Sequence, residues 1–126
     1  KLGIVIYSSD AETVWNAFRL GVFSLKQGDT CSVFLLAKGV ESESLPAEQF
    51  PVRTQMQAFV DTGGTILACG TCLKLRNSEG TELCPLSTMQ DLYEMFEALQ
   101  GGFILGVQPR VAVEGDLHEP GFIPLL

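Results

Sequence analysis

Two cysteines three positions apart are the residues of this chain best suited to chemistry. Cys69 and Cys72 enclose Gly70 and Thr71, which gives the C-x-x-C spacing used for thiol–disulfide exchange and for metal binding. The pattern places Cys69 between a predicted strand and a predicted short helix, where free N–H groups and the helix dipole favour negative charge. We therefore expect Cys69 to form a thiolate, the species that attacks persulfide or disulfide sulfur.

Further candidates follow the ends of the predicted strands, where ligands collect in an open parallel sheet. Lys38 can supply positive charge beside a thiolate or persulfide, although a solvated loop lysine fits the same pattern. Gly70 lacks a Cβ, so a partner can approach the sulfur closely. Cys72 can act as a resolving thiol or simply face the core. The predicted substrate-binding residues are Lys38, Gly70, Ser9 and Cys84, whereas Cys31 is expected to pack in the core.

Other kinds of site have less support in the sequence. A structural zinc site needs four ligands, and only Cys84 and the single histidine, His118, remain to complete the C-x-x-C pair. The chain contains neither the G-x-S-x-G turn of a hydrolase nor a glycine-rich phosphate loop. We therefore predict neither a metal nor a cofactor.

The elements that must position these residues alternate between strand and helix. Apolar runs predict strands over residues 4–7, 31–36, 65–68, 81–84 and 103–107. Residues spaced three and four apart predict helices after Asp10, through 52–60, over 69–76 and after a capping box of Ser87 with Gln90. This alternation predicts an α/β fold, a three-layer α/β/α sandwich with a mainly parallel sheet of about five strands.

Length and composition favour a single domain. The chain has 126 residues, of which 46% are hydrophobic and 18% charged, and the apolar surplus suggests burial between subunits. We assign residues 1–107 to the domain and residues 108–126 to an extended tail that either packs on a neighbouring subunit or is disordered. A formal charge of -7 opposes binding to nucleic acid. No apolar run is long enough to cross a membrane, and free cysteines suit a reducing cytoplasm.

Four blocks of the sequence resemble a known family. They span residues 7–17, 33–41, 66–74 and 87–93 and begin with Tyr7, Val33, Ile66 and Ser87. The order of these blocks and their residues resemble those of the DsrE/DsrF-like family of small sulfur-relay proteins, which includes the YchN-like and TusD-like proteins.

The resemblance implies a function and an assembly. Such proteins form homomeric or heteromeric trimers or hexamers, and a cysteine after the third strand accepts sulfane sulfur as a persulfide and passes it to a partner. The matching position here is Cys69, whereas the longer relay proteins lack a cysteine where this chain has Cys72. We therefore predict a sulfurtransferase-like carrier with protein donors and acceptors. A dithiol oxidoreductase using both cysteines, or a non-enzymatic oligomeric binding module with structural cysteines, stays open.

Overall fold

A five-stranded parallel sheet forms the centre of the molecule. The computed structural model describes residues 1–99 and the backbone of residues 103–107. Its strands are β1 (Leu2–Ile6), β2 (Cys31–Leu35), β3 (Thr65–Cys69), the two-residue β4 (Leu86–Ser87) and β5 (Phe103–Val107), in the order β4-β3-β2-β1-β5. Its helices are α1 (Ala11–Lys26), α2 (Val52–Asp61), α3 (Gly70–Lys74) and α4 (Met89–Ala98), with a 3₁₀ helix at Ala37–Ser44. The predicted α/β fold is confirmed.

Helices cover both faces of the sheet. A Cβ at Gly21 of α1 would lie 3.7 Å from the sulfur of Cys31, so α1 packs on that side of β2, together with α2. The next residue, Ser32, points to the opposite face because side chains alternate along a strand. There it shares a groove with Met95 of α4. The result is the predicted three-layer sandwich.

The sequence pattern that predicted α1 also explains its packing. The Asp10 side chain accepts a hydrogen bond from the Thr13 N–H at 2.9 Å and caps the first turn. Phe18 of α1 is fully buried and meets Phe59 of α2 edge to face, with ring centroids 5.5 Å apart. Aromatic contact between the two helices therefore fixes this layer of the sandwich.

The fourth strand lies later in the chain than the prediction. Residues 81–84 form a turn in which the Thr81 N–H donates to the Cys84 carbonyl and the Cys84 N–H donates to the Thr81 hydroxyl. Because these donors are used inside the turn, the prediction of a strand at 81–84 is wrong. The strand begins after Pro85, where Leu86 and Ser87 pair with the end of β3.

The cap of α4 also differs by one residue. Thr88 is the N-cap and forms a reciprocal capping box with Asp91, so the predicted box of Ser87 and Gln90 is wrong. Ser87 is instead buried in β4. This register buries Leu92 and Met95 and leaves other apolar residues of the helix facing solvent.

The 3₁₀ helix was not predicted, because its polar residues resemble a loop. It follows β2 directly: the Leu36 N–H donates to the Ile6 carbonyl at 2.9 Å. Gly39 then lies so close to β1 that a Cβ would come within 1.9 Å of the Ile6 carbonyl oxygen. A glycine at this position lets the 3₁₀ helix cross the carboxyl end of β1.

Two sequence predictions concern other regions. The tail assigned to residues 108–126 lies outside the described residues. None of the helices described here has the length and apolar character needed to span a membrane.

Replacing Gly39 by alanine tests how strictly this crossing depends on glycine. The new methyl group would collide with backbone, so we expect a loss of more than about 2 kcal/mol in the free energy of unfolding, measured by urea denaturation. Gly3→Ala is the matched control, because its nearest neighbour is the rotatable end of the Leu99 side chain, 2.6 Å away. Equal losses in the two variants would contradict the expectation.

Candidate functional site

The C-x-x-C pair lies at the carboxyl end of β3, where the sequence placed it. Cys69 is the last residue of β3 and the N-cap of α3, and only 3% of its surface is accessible to solvent. Cys72, half-buried on α3, forms a side-chain hydrogen bond with Cys69. Both thiols are free. The two sulfurs therefore belong to one site, with Cys69 deeper and Cys72 closer to the surface.

The pKa of Cys72 is raised above its ordinary value. Burial is the largest cause, and the hydrogen bond with Cys69 adds to it. The Ala37 N–H, which donates to the Cys72 sulfur at 3.2 Å, and the Arg76 guanidinium act in the opposite direction. The raised pKa keeps the Cys72 thiol protonated at neutral pH, in hydrogen-bond contact with the Cys69 side chain.

Backbone strain coincides with this site. Ala37 has a φ of 51°, in the left-handed region that costs a residue with a Cβ of order 1 kcal/mol. Its N–H is the group that reaches Cys72. In that conformation, the first residue of the 3₁₀ helix points its amide toward the dithiol.

A second connection joins the 3₁₀ helix to the dithiol. Arg76 donates from Nη1 to the Cys72 carbonyl at 3.0 Å, and its Nε lies 2.8 Å from Oε2 of Glu41. The Arg76 side chain is about one-third exposed, so the ion pair alone contributes little. Its geometry matters more: Cys72 is held at its sulfur by Ala37 and at its carbonyl by Arg76.

The other predicted substrate-binding residues lie at several places around this edge. Lys38 is exposed and follows Ala37 on the 3₁₀ helix, and Ser9 is half-buried after β1. Gly70 is buried, and a Cβ there would lie 2.9 Å from Leu86 and 3.1 Å from the Ser87 carbonyl oxygen. Close packing of β4 therefore accounts for this glycine, and β4 occupies the space through which a partner was expected to approach.

Cys84 faces a different cleft. This cleft has a volume of about 310 Å³, and neither Cys69 nor Cys72 is among the residues that line it. Burial and a hydrogen bond to the Glu43 carboxylate raise the pKa of Cys84 to about 12. Glu43 also contacts Thr81 and Arg53. This network connects the 81–84 turn to the 3₁₀ helix, and it keeps the Cys84 thiol protonated.

Metal ligands do not converge in the part of the chain that the structure describes. No three side chains of histidine, cysteine, aspartate or glutamate stand close enough there to share an ion. His118, considered as a zinc ligand, lies outside the described residues.

Sequence reasoning missed three residues of the site: Ala37, Glu41 and Arg76. Arg76 had a signal, since it lies one helical turn after Cys72. Ala37 and Glu41 are 35 positions away from the residues they contact. No local pattern connects residues that far apart, so the tertiary fold alone brings them to the dithiol.

The hydrogen bond between the cysteines predicts how Cys72 titrates. In Cys69→Ala the acceptor is lost, so the midpoint for alkylation of Cys72 should move to lower pH. In Arg76→Gln the favourable cation is lost, so the midpoint should move to higher pH. Iodoacetamide rates followed by peptide mass mapping measure both shifts, and Lys74→Gln is the control, a cation nearby that leaves the midpoint unchanged. Identical midpoints for wild type and Cys69→Ala would contradict this account.

The buried thiols predict a loss of stability in alkali. Burial raises the pKa of Cys31 from 9.0 to about 11, and that of Cys84 from 9.0 to about 12. A thiol whose pKa is higher in the folded protein than the unfolded value of 9.0 stabilises the fold below that pH. This stability is lost as the pH rises toward the folded-state pKa. Between pH 8 and about pH 10, the free energy of unfolding should therefore fall by about 1.4 kcal/mol for each thiol. Urea unfolding of wild type, Cys31→Val and Cys84→Ala tests this, because each variant should lose less stability between the two pH values.

Comparison with known proteins supports the fold. No protein-family model matches the chain, and no curated protein matches it. Among solved structures, the chain is similar to BT1422 from Bacteroides thetaiotaomicron, a conserved protein of unknown function, with 21% identity and a TM-score of 0.62. The match covers 83% of this chain and 93% of that chain. It shows that the two proteins share the α/β architecture over nearly the full length of BT1422.

Proposed function

We propose that this protein is a sulfur-relay protein that accepts sulfane sulfur as a persulfide on Cys69 and passes it to a partner. The observation that carries the proposal is the position of the two thiols at the carboxyl end of β3, where the side chains of Cys69 and Cys72 share a hydrogen bond. The raised pKa of Cys72 makes that thiol a poor nucleophile at neutral pH, and the position that the family resemblance implies for the persulfide is Cys69.

Loading is a displacement at sulfur. The Cys69 thiolate attacks the outer sulfur of a donor persulfide, R–S–SH; a new S–S bond forms on Cys69, the donor S–S bond breaks, and R–S⁻ leaves. In transfer, an acceptor thiolate attacks the outer sulfur of the Cys69 persulfide, and Cys69 leaves as a thiolate. Each step breaks one S–S bond and forms another, so no external oxidant is needed.

Cys72 gives the site a second route. Its thiolate can attack the inner sulfur of the Cys69 persulfide, which forms a Cys69–Cys72 disulfide and releases HS⁻. The raised pKa of Cys72 slows this release at neutral pH, since only the thiolate attacks. Burial of Cys69 behind Cys72 also limits contact between the persulfide and bulk reductants.

The same contact between the two thiols favours one alternative, a dithiol/disulfide oxidoreductase. In that function a substrate disulfide is the oxidant: the Cys69 thiolate attacks one of its sulfurs and displaces the other as a thiolate. The Cys72 thiolate then attacks Cys69 in the mixed disulfide, which forms the Cys69–Cys72 disulfide and releases the second substrate thiolate. For either function we propose a reducing cytoplasm as the compartment, because thiols must stay reduced between cycles. A homo-oligomer with protein sulfur donors and acceptors completes the proposal.

Persulfide mapping tests the relay function. Protein purified without reductant is incubated with glutathione persulfide, and its intact mass and labelled peptides are measured. We expect wild type and Cys72→Ser to gain one sulfur atom on Cys69, with a longer-lived adduct in Cys72→Ser because the disulfide route is closed. Cys84→Ala is the matched control and should load like wild type.

Two results would reject the relay function. An adduct that persists unchanged in Cys69→Ser would place the chemistry elsewhere. Absence of an adduct on wild type, combined with catalytic reduction of insulin disulfides that requires both cysteines, would establish the oxidoreductase instead.

A further inference from the structure

The outer face of α4 carries large apolar side chains with no partner among the described residues. Met89, Tyr93 and Phe96 are 58%, 62% and 39% exposed, and their spacing of four and three residues aligns them as one ridge along the helix. The exposed Glu94 and Glu97 border this ridge. The α4 ridge is therefore apolar and acidic, and α4 contains no basic residue.

The outer face of α1 has complementary properties. Leu20 and Phe23 are 37% and 61% exposed. They line a groove of about 480 Å³, which we call the α1 groove, with Asn16, Arg19, Val22, Lys26 and Gln55. Arg19 and Lys26 are both exposed, so the α1 groove combines exposed apolar side chains with two cations in a largely polar lining.

The two surfaces also agree in length. Arg19 and Lys26 are seven residues apart, and so are Met89 and Phe96, which corresponds to about 10 Å along either helix axis. Arg19 lies over the Trp15 ring, 4.6 Å from its centroid, and this stacking holds the cation beside the groove. Aromatic side chains of the ridge can enter the groove while the two cations along one side of the groove meet the two carboxylates along one side of the ridge.

The overall charge of the chain limits which surfaces of two copies can meet. With a formal charge of -7, two copies repel each other over most of their surfaces. A contact that pairs Arg19 and Lys26 with Glu94 and Glu97 replaces this repulsion with attraction and buries both apolar surfaces.

We propose that the α1 groove of one copy binds the α4 ridge of a second copy. The two helices lie on opposite faces of the sheet, so the contact is heterologous: each copy uses one surface to bind and keeps the other free. Such an interface builds a closed ring where the rotation permits, and otherwise an open chain. This inference specifies the contact of the homo-oligomer proposed above, and it does not depend on the sulfur chemistry, because none of these residues belongs to the dithiol site.

Charge exchange tests the interface. Sedimentation velocity under reductant, which prevents disulfide-linked species, should show wild type as an assembly larger than the monomer. Arg19→Glu/Lys26→Glu and Glu94→Lys/Glu97→Lys should each sediment as monomers, because like charges then face each other. An equimolar mixture of the two double variants should assemble again, since every contact between unlike copies regains opposite charges. Glu48→Lys/Glu82→Lys, which makes the same charge change at exposed positions elsewhere, should assemble like wild type.

Three results would overturn the proposal: a monomeric wild type, a double variant that still assembles by itself, or a mixture that stays monomeric while both variants keep the wild-type circular dichroism. If a double variant fails to fold, the neutral pair Arg19→Gln/Lys26→Gln replaces it, and assembly as strong as in wild type would then reject the interface. Persulfide loading of the monomeric variants distinguishes this failure from failure of the relay function.

Discussion

The close approach of the 3₁₀ helix to the end of β1 is the contact on which the site depends. The Leu36 N–H bonds to the Ile6 carbonyl, and Gly39 passes within van der Waals contact of the same peptide. Both contacts use the backbone of a central strand, which cannot move without disturbing the sheet. The 3₁₀ helix is therefore fixed relative to β3, and the Ala37 amide meets a sulfur that belongs to another element.

Burial and nearby charges then set the protonation of Cys72, Cys31 and Cys84. Cys72 receives the Ala37 N–H, lies near the Arg76 cation, and still keeps its proton because burial and the Cys69 sulfur outweigh these effects. Cys31 and Cys84 are buried more deeply among apolar or acidic groups, which keeps both thiols protonated. The cysteines thus differ in their surroundings: Cys31 and Cys84 are separate thiols, whereas Cys69 and Cys72 form a pair at the strand edge.

Within residues 1–99, the layer on the α4 side buries fewer side chains than the layer of α1 and α2. Two buried residues, Leu92 and Met95, anchor α4, whereas Leu67 beneath it is only half-buried and Leu86 beside it is exposed. Apolar residues on both faces of one helix explain part of the high hydrophobic fraction of the chain. Among the described residues, no side chain covers this stripe, which is the kind of apolar surface that interaction sites present.

Local patterns in the sequence determined much of this protein. Apolar runs and the Asp10 cap predicted β1, α1, β2, α2 and β3, and the C-x-x-C spacing placed the dithiol at the end of β3. These predictions succeeded because strand and helix periods, and the shared edge of parallel strands, depend on neighbours in the chain. Only the tertiary structure decided the 3₁₀ helix, the turn at 81–84, the register of α4 and the contacts of Ala37, Glu41 and Arg76 with the site. The 3₁₀ helix and the contacts of the site depend on groups that meet across large sequence separations. The turn and the cap of α4 use local hydrogen bonds, but several residues there could have made them, and the pairing of Leu86 and Ser87 with β3 decides between the alternatives.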